Sequence, residues 1–170
     1  EPVDDDLKAV VTATRDKVAD KMSGLRVADA ISEVFTLFKR CNKYIDETMP
    51  WALAKDESKQ DRLATVLYNL VESISIGASL LKSFMPETSE KIFAQLNTKD
   101  RDFDDLATFG LTENGTKVTE TPEILFARQD IKEVLEKVAA RHPKKEEPVA
   151  EKKAEDEAVI DIEPKAEIEY

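Results

Sequence analysis

A proline followed directly by the chain's only tryptophan, Pro50-Trp51, closes the polar stretch Asn42-Lys43-Tyr44-Ile45-Asp46-Glu47-Thr48-Met49. An indole offers a large flat apolar face, and a flat ligand can stack on it. Nucleobases are such ligands, and each stacked base contributes roughly 1–3 kcal/mol. Pro50 disfavours helical geometry at Met49, so a helix arriving from upstream stops there. Trp51 then sits on a corner rather than on a buried face. The alternative is a plug in the end of a helical bundle, because tryptophan is usually well buried. Other chemistry is scarce. Adjacent acids such as Asp46-Glu47, Asp104-Asp105 and Glu146-Glu147 read as solvated surface, since pair chemistry needs a cleft. The single histidine, His142, leaves no partner for a Ser-His-acid arrangement and no cluster to hold zinc. The four glycines are scattered and form no phosphate loop. We expect no catalytic residue and no metal ligand.

The elements that must position this corner follow from apolar spacing. A first helix starts near Asp4-Asp5-Asp6, acids that suit an N-terminus. Leu7, Val10, Val11, Thr14, Val18 and Met22 mark one face, and Ser23-Gly24 ends it. A second helix runs from about Arg26 to Thr48, with Val27, Ile31, Val34, Phe35, Phe38, Cys41 or Asn42, and Ile45 as its stripe. Asn42, Tyr44 and Asp46 therefore gather at the end of the rod that carries Trp51. After a polar connection over Lys55 to Asp61, a third helix spans about Ser58 to Ser83. Its small residues Ser73, Ser75, Gly77 and Ser79 permit close approach of a neighbouring helix. Pro86 suits the first turn of a fourth helix, with Ile92, Phe93 and Leu96 inward. Asn97 to Glu123 is looser, with turns at Phe109-Gly110 and Asn114-Gly115. Val118 to Phe126 is extended and packs across the bundle. A last helix starts near Gln129 or Asp130 and carries Ile131, Val134, Leu135 and Val138. The fold class is all-α, a bundle of about five helices over residues 1–140. Residues 141–170, rich in Lys, Glu, Ala and Pro, read as a disordered linker, and the Ile160, Ile162, Ile168 and Tyr170 alternation at its end could open a strand.

Composition narrows the function. The chain carries 25 basic and 36 acidic residues, a net charge of −11. Residues 141–170 hold 6 basic and 10 acidic side chains, so the bundle itself remains acidic. A clamp on duplex backbone needs Lys and Arg, and DNA is excluded as a partner on that ground. Reading a few unstacked loop bases of RNA tolerates an acidic body. The lone Cys41 falls in a helix, where a reduced packed thiol is expected. No apolar run reads as long enough to cross a bilayer, and no secretory leader is present, so we expect no membrane partner and a cytoplasmic setting. The start at Glu1-Pro2-Val3 reads as that of an excised piece.

Three blocks carry a family resemblance. Asn42-x-Tyr44-Ile45-Asp46-Glu47-x-x-Pro50-Trp51, followed by Ala52-Leu53-Ala54-Lys55, resembles the helical anticodon-binding domain of the methionyl-tRNA synthetase family, which are class I aminoacyl-tRNA synthetases. Leu80-Leu81-Lys82-Ser83-Phe84-Met85-Pro86-Glu87-Thr88 is similar to the family's leucine-rich helix and Met-Pro step. Leu125-Phe126-Ala127-Arg128-Gln129-Asp130-Ile131 is similar to its Leu-Phe-x-Arg-x-Asp segment. The blocks occur in order and cover most of Leu25 to Ala140.

The resemblance implies an anticodon-recognition fragment of a ligase that attaches methionine to its tRNA. It implies that Trp51 stacks on or beside the first anticodon base and that Pro50 belongs to the same surface. It implies that Asp46 discriminates against wrong tRNAs, a carboxylate repelling phosphate and rejecting acceptors on a wrong base. Arg128 would hold the site or meet the RNA backbone. Asn42 and Tyr44 match the motif, with structural roles the commoner outcome for such groups. The partners implied are the methionine tRNA anticodon loop and the parent's catalytic domain. ATP, with zinc as a further candidate, would bind outside this segment. The family's His-x-Gly-His-type turn is impossible here, and Lys21-Met22-Ser23-Gly24 lacks the second lysine of its Lys-Met-Ser-Lys-Ser-type loop. An upstream base-reading helix with an Asn and an Arg would precede Glu1. Its absence would leave an apolar groove, filled by self-association or by the tail, and weak RNA binding by the fragment alone. The linker would lead to a small tRNA-binding barrel. The competing readings are a free-standing helical protein-interaction module and the equivalent domain of a related class I synthetase.

Overall fold

A computed structural model describes residues 1–141, and every regular element among them is helical. The elements are α1 (Pro2–Ser23), α2 (Val27–Thr48), the short α3 (Pro50–Leu53), α4 (Gln60–Leu81), α5 (Pro86–Leu96) and α6 (Ile131–Arg141). The chain divides into two units, Glu1–Ala127 and Arg128–Tyr170. The stretch beyond Arg141 that reads from sequence as a linker, with His142 and the Ile160 to Tyr170 segment, lies outside the described residues.

Proline at the first helical position and acids in the first turn start α1, two residues before the expected Asp4. Its core face is Asp4, Leu7, Val11, Thr14 and Val18, whereas Met22, beside the helix end, stays exposed. The turn to α2 places its left-handed residue at Leu25 (φ 57°) and not at Gly24. In α2 the buried positions are Ala30, Val34, Leu37, Cys41 and Tyr44. Cys41, not Asn42, therefore completes the stripe, and Val27 and Phe35 fall outside it.

Helix α4 is the core helix. A 3-10 turn over Glu57–Lys59 precedes it, and every residue from Ser75 to Leu81 is buried. By length and composition Glu57–Leu81 would suffice to cross a membrane, which corrects the reading that no run is long enough. More than half of the most apolar eighteen residues of that stretch are instead covered by protein, because α4 packs against α1, α2, α3 and α5. Its partner α2 runs close: a Cβ built on Gly77 would lie 2.6 Å from Phe38 Cε1. Helix α5 begins at Pro86 and buries Ile92 and Phe93.

The returning segment is irregular. A 3-10 turn over Phe103–Ala107 buries Leu106; Gly115 takes positive φ in the expected turn at Asn114-Gly115, whereas Gly110 takes positive φ in irregular chain with no turn at Phe109-Gly110. Residues 118–126 form no strand; they run along α5, where the Thr119 amide donates to the Gln95 carbonyl at 2.8 Å and Lys91 meets Glu123 at 2.8 Å. Val118, Ile124 and Phe126 are exposed, so only Leu125 of this segment packs on the core. In the second unit, Asp130 starts α6, its carboxylate accepting from the Lys132 amide at 2.8 Å.

Candidate nucleic-acid interface

The corner forms as the Pro-Trp step requires. Met49 closes α2 in the left-handed region (φ 45°, ψ 61°), and its amide still donates to the Ile45 carbonyl at 2.9 Å. Pro50 then occupies the first position of α3, where its fixed φ and missing N–H cost nothing. The Ala52 and Leu53 amides return to the Met49 carbonyl at 2.8 and 3.2 Å, so the reversal leaves little backbone slack. Leu53 packs on the core and Trp51 faces solvent at 54 % exposure. The ring is therefore not a plug. Pro50 is half-buried beside it, while Asn42 and Asp46 are exposed. These two share one face of α2, four residues apart, in line with the corner. Arg128 belongs to the second unit and is exposed.

A buried polar network lies directly beneath. Tyr44 is fully buried; its hydroxyl donates to Asp4 and accepts from Asn69 Nδ2 at 3.1 Å. The Arg62 guanidinium forks onto the same Asp4 carboxylate at 2.6 and 3.0 Å. Helices α1, α2 and α4 are thus joined at the end that carries Trp51. Burial alone would raise the pKa of Asp4, but the hydrogen bonds from Arg62 and Tyr44 outweigh it and hold the carboxyl well below the usual carboxylate range. The same burial, with the Asp4 charge, pushes Tyr44 up to about 12. Arg40 is also folded in, meeting Asp6 at 2.7 Å and Glu47 at 3.1 Å with its guanidinium 5.9 Å from the Tyr44 ring centre. Both arginines near the corner are therefore neutralised. Lys39 and Lys55 are exposed and make no ion pair among the described residues.

A second buried carboxylate shapes the returning loop. Glu72 is fully buried in α4 and takes the Arg101 fork at 2.8 and 2.6 Å. The amides of Gly110, Leu111 and Thr112 donate to it at 2.7, 3.0 and 3.0 Å. Burial would raise Glu72, yet these donors lower it to about 2. Neither network was read from sequence. The signal was present: Asp4 shares the period of Leu7, Val11, Thr14 and Val18, and Asn69 and Glu72 interrupt the apolar run of α4. Polar groups on a core face must find partners. Cys41 is buried, and burial raises its thiol to about 11, which leaves it protonated and inert.

A helical bundle that holds an aromatic ring half-exposed on a hydrogen-bonded corner offers a surface on which a flat ligand can stack. Comparison with known proteins gives that bundle its family. The anticodon binding domain of methionyl tRNA ligase matches residues 1–157, and the chain belongs to this family. It is 46 % identical over 138 residues to a methionine–tRNA ligase of Clostridium tetani, covering 81 % of this chain and 21 % of that protein. With the ligase of Caldanaerobacter subterraneus it shares 45 % identity over 164 residues, 96 % of this chain and 25 % of the other. The crystal structure of the apo form of Mycobacterium tuberculosis methionyl-tRNA synthetase superposes with a TM-score of 0.68 at 28 % identity, over 76 % of this chain and 26 % of that one. The chain thus spans a fifth to a quarter of the length of these curated relatives. The family match decides for the anticodon-binding reading over a free-standing interaction module or the domain of another synthetase.

Proposed function

We propose that this chain is the part of a methionine–tRNA ligase that reads the anticodon of methionine tRNA, with ATP-driven charging carried out elsewhere in the parent protein, in the cytoplasm. ATP, and zinc as the further candidate, belong to that other part. One observation carries the reading: the only indole of the chain is held half-exposed on a hydrogen-bonded corner. Trp51 receives the first anticodon base by stacking, with Pro50 extending the apolar surface. Asp46, one turn back on α2, repels phosphate and unsuited base edges. Asn42 on the same face supplies an amide; Arg128, in the second unit, is a separate candidate cation for the RNA backbone. Lys39 and Lys55, unpaired among the described residues, add phosphate contacts on α2 and after α3.

The test is Trp51→Ala in the parent enzyme. Loss of one stacked base corresponds to roughly 1–3 kcal/mol, which is about a 5- to 150-fold fall in kcat/KM for methionine tRNA, with helix content unchanged. Charging at the original efficiency would overturn the proposal.

A further inference from the structure

We infer that Asp4, Tyr44 and Asn69 form a positioning device for Trp51, setting the angle at which the indole meets its ligand. The inference rests on the anticodon-reading proposal for what that ligand is, but its geometry is independent of it. The corner is the link between α2 and α4, since α3 follows α2 directly and packs on α4. The network makes a second, polar link between the same two helices: Tyr44 on α2 bonds Asn69 on α4 directly, and reaches Arg62 on α4 through Asp4. Two links at one end of a helix pair fix the angle between them.

From Tyr44 to Trp51 the chain has no loose joint. Thr48 Oγ1 donates to the Tyr44 carbonyl at 2.7 Å, Met49 N to Ile45 O at 2.9 Å, and the Ala52 and Ala54 amides to Met49 and Pro50 carbonyls at 2.8 and 2.9 Å. Movement of Tyr44 is therefore carried to the indole. A close-packed apolar cluster could stabilise this end equally well. Hydrogen bonds add direction, and a fully partnered buried network admits one arrangement. Asp4 accepts from Tyr44 and from both Arg62 nitrogens, while the Tyr44 hydroxyl donates once and accepts once. Ring packing alone would need none of these bonds.

Because the chain has a single tryptophan, fluorescence excited at the long-wavelength edge, where its tyrosines do not absorb, reports this corner alone. Tyr44→Phe keeps the ring and removes the hydroxyl; Asp4→Asn keeps the shape and removes the charge. Ile92→Val, in α5 at a distance from the network, serves as the control for general loosening, with temperatures chosen to match stability. In the full 170-residue chain, both network variants are expected to change acrylamide quenching and anisotropy of Trp51, and the control is not. In the parent ligase, Tyr44→Phe should raise KM for methionine tRNA by about tenfold, as misplacement of a recognition group does, and leave kcat at saturating tRNA unchanged. Quenching and anisotropy in both network variants indistinguishable from the control at matched stability would overturn the inference. Altered fluorescence with unaltered KM would overturn the claim that the network sets how the indole meets its ligand, whereas anticodon reading itself falls only if Trp51→Ala leaves charging unchanged.

Discussion

Lys39 and Lys55 are the lysines of α2 and the corner that are exposed and have no acidic partner among the described residues. Arg40 and Arg62, which a count of charge would offer to RNA, are spent on Asp6, Glu47 and Asp4. Lys39 and Lys55 remain, one on the face of α2 with Asn42 and Asp46, the other directly after α3. Each phosphate contact releases counterions and steepens the salt dependence of binding. Lys39→Ala and Lys55→Ala are therefore expected to weaken tRNA binding by the parent to the same extent for every anticodon. Each should reduce the slope of log K against log salt by about 1. Titrations at several salt concentrations measure both. A loss confined to one anticodon would assign these lysines to base reading instead. At this same scale the motif was legible: Trp51 stands out as a sole tryptophan after a proline, and Pro50 alone dictates the stop at Met49.

Between elements, the closest approach decides what the sequence will tolerate. Helices α2 and α4 meet where Gly77 faces Phe38 and Leu37, and a methyl group there would sit 2.6 Å from one ring atom and 3.1 Å from Leu37 Cδ2. Both neighbours belong to α2, so relief requires moving the helix or the ring. Gly77→Ala is expected to destabilise the bundle by about 1–3 kcal/mol, although alanine favours helix over glycine. Thermal unfolding would register a lower Tm; an unchanged or higher Tm would contradict the geometry. The run of small residues in α4 marked the approach in sequence, but which of them touches was decided by the packing. The stripe of α2 was similar. The helical period allowed Cys41 or Asn42, and only the position of α4 against α2 turned Cys41 inward.

For the molecule as a whole, two buried carboxylates make folding sensitive to acid. Both have folded-state pKa values below their unfolded ones, so their contribution is complete above the unfolded value and is lost as pH falls toward the folded one. Glu72, lowered from 4.5 to about 2, contributes about 3 kcal/mol that disappears between roughly pH 4.5 and 2. Asp4 shifts in the same direction. Urea unfolding at pH 6 and pH 3 should show the loss, and Glu72→Gln should flatten the profile. That variant should also be less stable at pH 6 by about 3–5 kcal/mol, since the largely covered Arg101 is left without its charged partner. A profile as steep as that of the wild-type chain would refute this assignment.

The sequence by itself determined the five longer helices, their order, the break at Met49 and the family, because periodicity, proline and a contiguous motif act within a few residues of one another; the short α3 was not among them. Tertiary structure alone decided that the indole faces outward, that Tyr44 is anchored and not free, and that Glu72 gathers the loop at Gly110 to Thr112. Asp4 reaches Tyr44 across 40 positions and Arg62 across 58, and Glu72 reaches Arg101 across 29. Such pairings depend on how helices stack in space, and local pattern carries only the demand that a polar group on a core face be satisfied.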